Sequence, residues 1–192
     1  MLNIRRSHDR GYADHGWLKS YHSFSFAGYY DPAHMGWGNL RVINEDRIAP
    51  GMGFGMHGHR DMEILTYLIS GRLAHRDSLG NEGEITRGEI QRMSAGKGIL
   101  HSEFNASHEE ETHLLQIWLL PSQPGGASSY EQQPVCLDEC PDQWVTLAAP
   151  VGSEGVARLG QDATVFAARL RVESVLTRSL LPTRLGYLQV VS

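Results

Sequence analysis

The sequence predicts an all-β protein, folded as an antiparallel sandwich or barrel. Short runs with strand-forming side chains recur along most of the chain. Turn-forming pairs such as Asp31-Pro32 and Pro50-Gly51 separate these runs. Amphipathic periodicity of the helical kind nowhere extends over more than about three turns. Short strands separated by turns at this spacing are typical of two-sheet sandwiches and barrels.

The predicted strands follow one another at close intervals. The N-terminal part of the chain contains Tyr21–Ala27, Leu40–Ile48, Met62–Ser70, Glu89–Ser94, His101–Asn105 and His113–Leu120. The C-terminal part contains Trp144–Ala149, Thr164–Val172 and Tyr187–Val191. Between them, Pro121–Pro134 is rich in Pro, Gly, Ser and Gln, which predicts a linker or a long surface crossing. We therefore divide the chain into an N-terminal domain at 1–121, a crossing at 122–143 and a smaller C-terminal domain at 144–192.

Composition limits the classes of function. The chain has 192 residues, of which 41% are hydrophobic and 20% charged, so it is long and apolar enough to bury a sizeable core. Its formal net charge of −5 argues against direct binding of nucleic acid, which favours a basic surplus. We find neither an apolar stretch of the roughly 20 residues that span a bilayer nor a signal peptide. Cys136 and Cys140 are too few for a disulfide scaffold, so we expect a cytoplasmic protein with two free thiols, the alternatives for this CxxxC pair being a metal clip or a redox pair.

Two pairs of candidate metal ligands have the spacing of alternate residues in a strand. His57 and His59 form one pair, and His101 and Glu103 form the other. Alternate residues of a strand point to the same face, so each pair can converge on one ion. Three imidazoles and a carboxylate suit a divalent first-row transition metal. The alternative is a loop-rich protein with ordinary surface histidines, and these residues alone leave both interpretations open.

Two ordered motifs resemble those of the cupin superfamily. The first motif, G(x)5HxH(x)3E, matches Gly51, His57, His59 and Glu63, and the second, GxxH(x)3N, matches Gly98, His101 and Asn105. The runs DPAHMGWGNLRVINEDRIAPGMGFGMHGHRDMEILTYLISG and RMSAGKGILHSEFN look more specifically like the signature segments of the pirin family. This resemblance is close over residues 1–121 and looser beyond them.

The resemblance implies a bicupin fold, in which each barrel is a double-stranded β-helix or jelly roll. It also implies one divalent transition metal in the N-terminal barrel, with His57, His59, His101 and Glu103 as ligands. We expect iron first, with Mn, Co, Ni, Cu or Zn as alternatives. Glu63 is then expected not to coordinate, and to serve as a structural carboxylate or to orient an imidazole. The C-terminal part looks like the opening strands of a second barrel without the closing ones, so truncation, completion by a partner and a reduced sheet all remain open.

The sequence resembles bacterial pirin-like proteins of the quercetin 2,3-dioxygenase type, and this resemblance implies dioxygenase activity on a flavonol. A flavonol such as quercetin would react with dioxygen and release carbon monoxide, with Glu103 as the catalytic general base for the flavonol hydroxyl. Candidates for the substrate slot are Phe54, Met56, Met93, Phe104, Gln116 and Trp118. The alternative for each apolar member is plain barrel core, and for Gln116 a side chain that faces bulk water.

A regulatory protein is the second hypothesis. Pirin resemblance also supports a protein whose metal and redox state modulate a protein partner, and an incomplete barrel makes self-association plausible. An enzyme requires an open coordination position, whereas a regulator requires an exposed patch that responds to the ion. A third hypothesis is a poorly folding fragment that has lost its function. His75 has no evident partner spacing, so we expect it to be a structural histidine.

Overall fold

The computed structural model of the chain describes residues 2–153 and 155–191. The remaining positions 1, 154 and 192 of the predicted domains lie outside this description. Within the described residues the chain forms fourteen strands and one short 3-10 helix, Ser7–Asp9. None of the described segments is a helix with the length and apolar character that crossing a bilayer requires.

Two antiparallel sheets form the N-terminal barrel. The larger sheet has seven strands, in the spatial order β1 (Gly11–Asp14), β2 (Leu18–His22), β3 (Leu40–Ile48), β10 (Thr112–Leu119), β5 (Glu63–Ser70), β8 (Glu89–Ser94) and β11 (Ser129–Pro134). The smaller sheet has four, in the order β4 (Gly53–His59), β9 (Ile99–Asn105), β6 (Arg72–Asp77) and β7 (Glu82–Thr86). From β3 to β10 the chain crosses repeatedly between the sheets, with only the β6–β7 hairpin staying in one. This is the jelly-roll connectivity of a cupin.

A third sheet covers the outer face of the larger one. It consists of β12 (Val145–Pro150), β13 (Ala157–Leu159) and β14 (Val165–Ala167), with β12 parallel to β13 and antiparallel to β14. Leu147 and Leu159 of this sheet pack in one buried cluster with Leu65 and Ile117 of the larger sheet. The outward side chains of the larger sheet are therefore apolar because a second layer removes them from water.

The barrel interior is apolar at its ends and polar in the middle. Ile48, Leu68, Leu73, Ile85 and Leu114 share one buried cluster, and Ile64, Met93 and Ile99 share another. Between them, the buried polar residues Thr66, Gln91 and Gln116 face the smaller sheet. The alternation of each strand places these polar side chains inside, where they need partners from the opposite sheet.

Six of the predicted strands are confirmed within two residues at each end. Leu40–Ile48 and Glu89–Ser94 have the observed bounds, and the other four are Met62–Ser70, His101–Asn105, His113–Leu120 and Trp144–Ala149. Burial alternates along β9, whereas β5 and β10 are buried on both faces over most of their length.

Four predictions were wrong in part or entirely. The strand predicted at Tyr21–Ala27 ends at His22, because the chain turns back on itself at Phe26 to Tyr29 and Ala27 has a positive φ of 49°. Thr164–Val172 contributes only β14, and Tyr187–Val191 forms no strand in the described structure. The predicted crossing contains β11, which pairs with β8 at the edge of the larger sheet. Alternation marks a segment that can form a strand, but a neighbouring strand must be present to pair with it.

Candidate metal centre

Three imidazoles meet where β4 lies beside β9. His57 is directly opposite His101 in the ladder, and a β-bulge between Phe54 and His57 shifts the register just before it. The ring centroids of His57, His59 and His101 are 4.4 to 4.9 Å apart. Nε2 of His57 lies 3.1 Å from Nε2 of His101. The two strands thus aim three ring nitrogens at one point, as the spacing of His57 and His59 predicted.

A backbone carbonyl fixes the tautomer of His57. Its Nδ1 lies 2.8 Å from the carbonyl oxygen of Gly55. A carbonyl oxygen only accepts hydrogen bonds, so Nδ1 carries the proton and Nε2 keeps its lone pair. This outer contact is the usual way in which a protein orients a histidine ligand toward a metal.

The two other imidazoles are held neutral. Burial, reinforced by the neighbouring imidazoles, lowers the pKa of His59 to about 4. The same causes lower the pKa of His101 to about 3. Both rings are therefore unprotonated at pH 7, which is the state that can donate a lone pair to a metal ion.

Glu103 is buried and receives hydrogen bonds from three strands of the larger sheet. Nε2 of Gln91 donates to Oε1 at 2.9 Å, and Oγ1 of Thr66 donates to the same oxygen at 3.3 Å. Nε2 of Gln116 donates to Oε2 at 2.8 Å. Thr66 lies directly opposite both glutamines in the ladders, so one cross-strand row supplies all three donors. This row compensates the burial of the carboxylate charge.

An aromatic side chain stands behind each glutamine. The indole Nε1 of Trp118 donates to Oε1 of Gln116 at 3.1 Å, and the hydroxyl of Tyr130 donates to Oε1 of Gln91 at 3.3 Å. Because an indole N–H can only donate, the amide oxygen of Gln116 must face Trp118 and its NH2 group must face Glu103. The donor-to-acceptor direction of these hydrogen bonds therefore requires Glu103 to be the acceptor.

A second group of candidate ligands shares His101. Ligand atoms of His75, His101 and Glu103 lie within 4.8 Å of one another, and all three residues are buried. His75 stacks on Tyr130 with a centroid distance of 4.4 Å, and its Nε2 lies 3.3 Å from Oδ2 of Asp77. Among the described residues, Nδ1 of His75 and Nδ1 of His101 are buried without a hydrogen-bond partner. His101 thus stands between the three-histidine group and the carboxylate.

The residues present fit a metal ion. Ligand nitrogens of the three imidazoles lie within 4.8 Å of one another, two of the rings are held neutral, and the buried carboxylate of Glu103 lies within the same distance of His101. Nitrogen and oxygen donors of this kind suit several divalent first-row ions and do not select one of them. A cation at this point would take the place of the contact between the two facing Nε2 atoms of His57 and His101.

The predicted slot residues lie in three different environments. Trp118 stands perpendicular to His59 with a centroid distance of 4.8 Å, and Phe54 lies 6.2 Å from His57, so both border the histidines. Met56 and Phe104 are exposed on the opposite face of their strands. Met93 is fully buried in the apolar cluster of the barrel. Alternation along the strand therefore removes Met56 and Phe104 from the space that the histidines face.

Glu63 ties the barrel to the C-terminal sheet. It lies on the outer face of β5, where its Oε2 accepts hydrogen bonds from Oγ of Ser94 at 2.8 Å and from the backbone N–H of Gly160 at 3.3 Å. A Cβ at position 160 would come within 3.1 Å of Glu63, so glycine suits the close approach. The suggested role of Glu63 in orienting an imidazole is wrong, whereas the structural role agrees with these contacts.

Sequence reasoning missed Thr66, Gln91 and His75. The alternation of β5 and β8 contained a signal for the first two, because a single polar residue on an otherwise apolar inward face needs a partner. His75 has the same alternate spacing to Asp77 that His57 has to His59. The expectation that His75 lacks a partner spacing was therefore wrong.

Comparison with known proteins agrees with this geometry. The family model described as Pirin matches residues 3–119. The chain is 44% identical over 191 residues to quercetin 2,3-dioxygenase of Escherichia coli K12, covering 100% of this chain and 81% of that protein. It is 46% identical over 189 residues to a pirin-like protein of Caulobacter vibrioides, with coverage of 98% and 81%.

Solved structures support the same relationship. The crystal structure of the bacterial pirin YhhW from Escherichia coli in complex with nickel(II) superposes with a TM-score of 0.82 at 46% identity. The match covers 86% of this chain and 70% of that one. With a family model over more than half of its length and relatives above 40% identity, the chain belongs to the pirin family.

Proposed function

We propose that the protein is a metal-dependent dioxygenase that cleaves a flavonol such as quercetin with dioxygen. The observation that carries the proposal is the meeting of His57, His59 and His101 beside a buried carboxylate, Glu103, that three side chains hold. The name of the Escherichia coli relative, quercetin 2,3-dioxygenase, supports this substrate class.

His57, His59, His101 and Glu103 would hold one divalent transition-metal ion. When bound, the ion supplies a Lewis acid that lowers the pKa of a substrate hydroxyl, and a redox-active ion also supplies an electron route for dioxygen chemistry. Iron is the ion we expect first. The nickel(II) complex of the related pirin supports metal binding in general.

Glu103 would act as the proton acceptor. Its Oε1 accepts hydrogen bonds from Gln91 and Thr66, whereas its Oε2 accepts one from Gln116 and retains a second lone pair. Only this lone pair is left, so it would hold the ion in the resting protein and would take the proton of the 3-hydroxyl group of a flavonol when it is not bound to the ion. Because the amide donors remain in place, the carboxylate does not have to move into position when substrate arrives.

The substrate would approach from the side of His57 and His59, which are partly exposed, whereas His101 is fully buried. Trp118 stands over His59, and Phe26 packs edge-on against Trp118 at 5.3 Å. These rings form an aromatic wall on which a flat polyphenol can lie.

The reaction balances without an added reductant. Both atoms of dioxygen enter the products, two carbon–carbon bonds of the flavonol heterocycle break, and the carbon between them leaves as carbon monoxide. The remaining product is an ester that carries a carboxyl group. The proton taken by Glu103 from the 3-hydroxyl group returns to this product.

Turnover of quercetin in air tests the proposal. Protein loaded separately with Fe(II), Mn(II), Co(II) or Ni(II) is followed by loss of the flavonol absorbance and by carbon monoxide evolution. His101→Ala, treated in the same way, controls for oxidation by free metal. We expect metal-dependent turnover that the variant lacks.

A negative result has a defined meaning. If the protein binds metal stoichiometrically and no ion supports turnover, the dioxygenase proposal is overturned and the regulatory hypothesis replaces it. In that case an ion-dependent protein partner becomes the next target.

A further inference from the structure

The loop between β11 and β12 brings the two cysteines into contact. Sγ of Cys140 lies 3.1 Å from Sγ of Cys136. A turn produces this approach, because the backbone N–H of Glu139 donates to the carbonyl of Cys136 at 3.2 Å. The sulfur atoms are only about 1 Å farther apart than in a disulfide bond of about 2.05 Å.

The surrounding contacts hold this loop on both sides. Just before it, the backbone N–H of Val135 donates to the carbonyl of Gly88 at 2.7 Å. At its tip, Asp138 accepts two hydrogen bonds of 2.9 Å from Arg87 of the barrel and one of 2.7 Å from Arg169 beyond β14. The contact between the sulfurs therefore belongs to an anchored turn that also links the two halves of the molecule.

We propose that Cys136 and Cys140 form a reversible dithiol site, which a peroxide oxidises to a disulfide within the loop. Cys136 is exposed and Cys140 is partly buried, so an oxidant reaches Cys136 first. The thiol of Cys140 donates its hydrogen bond to the sulfur of Cys136, so the second sulfur is already in place when the first one is oxidised.

The reaction with a peroxide balances in two steps. The thiol of Cys136 gives up its proton and its sulfur attacks one peroxide oxygen; the O–O bond breaks, Cys136 becomes a sulfenic acid, and the other oxygen takes up a proton and leaves as water or an alcohol. The sulfur of Cys140 then attacks the sulfenic sulfur, the S–S bond forms and water leaves. Two thiols are oxidised by two electrons and one peroxide is reduced. A thiol reductant reverses the change by exchange.

Thiol mapping after a short exposure to hydrogen peroxide tests the proposal on the whole folded protein. Free thiols are alkylated, and the peptide that contains both cysteines is analysed by mass spectrometry. We expect the wild-type peptide to lose both alkylation sites and two hydrogen atoms, and dithiothreitol to restore both sites. Peptide analysis separates this change from methionine oxidation elsewhere in the chain.

Two exposed-loop variants make the order of events testable. Cys140→Ser is expected to accumulate a sulfenic acid on Cys136 that a dimedone probe captures, whereas Cys136→Ser is expected to remain unmodified under the same dose. The proposal is overturned if wild-type Cys136 carries sulfenic or sulfinic acid while Cys140 stays alkylatable. Disulfide-linked dimers in place of the internal bridge would overturn it equally.

Discussion

Gln116 donates a hydrogen bond of 2.8 Å from its Nε2 to Oε2 of Glu103, while its own Oε1 accepts the indole N–H of Trp118. These two hydrogen bonds have a fixed direction, because an indole N–H only donates and cannot accept a hydrogen bond from the amide NH2 group. We therefore propose that Gln116 is a positioning residue, which would act on a bound metal ion through the carboxylate that it orients. This outer contact would then determine how well the chain presents Glu103 to the ion.

Removing the Gln116 amide is expected to weaken metal binding. Gln116→Leu keeps a similar volume but leaves Oε2 of Glu103 without its donor and Nε1 of Trp118 without its acceptor. We expect a loss of about 10–100-fold in affinity for Ni(II) or Co(II), the usual cost of deleting such an outer contact. Competition titration against a chelator of known affinity measures this change.

Gln133→Leu is the matched control for that titration. Gln133 is a glutamine of β11 that is one residue out of phase with inward-facing Gln132 and Tyr130, so its amide points away from Glu103. The affinity of the Gln133→Leu variant for Ni(II) should equal that of the wild type. Equal affinities in Gln116→Leu and Gln133→Leu would contradict the positioning role.

Glu103→Gln removes the negative charge of this side chain and keeps its shape. Tyr130 can accept as well as donate, so the Gln91 amide can reverse and meet the new amide group. We expect the free energy of unfolding in urea to change by no more than about 1 kcal/mol. Turnover of quercetin should fall by about 10²–10⁴-fold, because an amide cannot take the substrate proton. Retention of turnover would remove Glu103 from its proposed role.

The pH dependence of stability reports on His59. Its pKa falls from the ordinary 6.5 to about 4 on folding because of burial, so between these values the unfolded chain binds a proton that the folded chain does not. The metal-free protein should therefore lose stability as pH falls from about 6.5 toward 4. Denaturant unfolding at pH 7 and pH 5 measures the loss, which should be smaller in His59→Asn. The same loss in both proteins would show that His59 does not contribute.

Asp46 should have the opposite effect. Burial raises its pKa from 3.8 to about 7, and Oγ of Ser20 is its hydrogen-bond donor. Between these values the folded chain holds a proton that the unfolded chain releases, so this group costs stability as pH rises from about 4 to 7. We expect Asp46→Asn to raise the free energy of unfolding at pH 8 by on the order of 1–3 kcal/mol. A destabilised variant at pH 8 would contradict the pKa shift.

The sequence indicated the strands and the histidine pairs because both depend on local periodicity. His57 and His59 lie on one face of β4 by their spacing alone, and the bounds of β3 follow from its own alternation. Thr66, Gln91 and Gln116 were not recognised as one group, since their meeting depends on the register between three strands. The register between strands is set by the hydrophobic pattern together with the turns of the folded chain, so it cannot be read from any one strand.

In the C-terminal part too, the sequence does not show which strands pair. Tyr187–Val191 has the alternation of a strand and forms none, while Ser129–Pro134 has the composition of a linker and pairs with β8. In both cases the available neighbour decided the outcome, because β8 offers a free edge at the larger sheet. The composition of a segment indicates whether it can form a strand, and the presence of a neighbouring strand decides whether it does.

Metal stoichiometry in three proteins tests the central claim most directly. Wild type, His101→Ala and the surface control His8→Ala are titrated with Co(II), and the bound ion is measured by its visible spectrum and by elemental analysis. We predict one ion per chain in the wild type and in His8→Ala, and a loss of tight binding in His101→Ala. Unchanged stoichiometry and spectrum in His101→Ala would contradict the assignment of the metal centre.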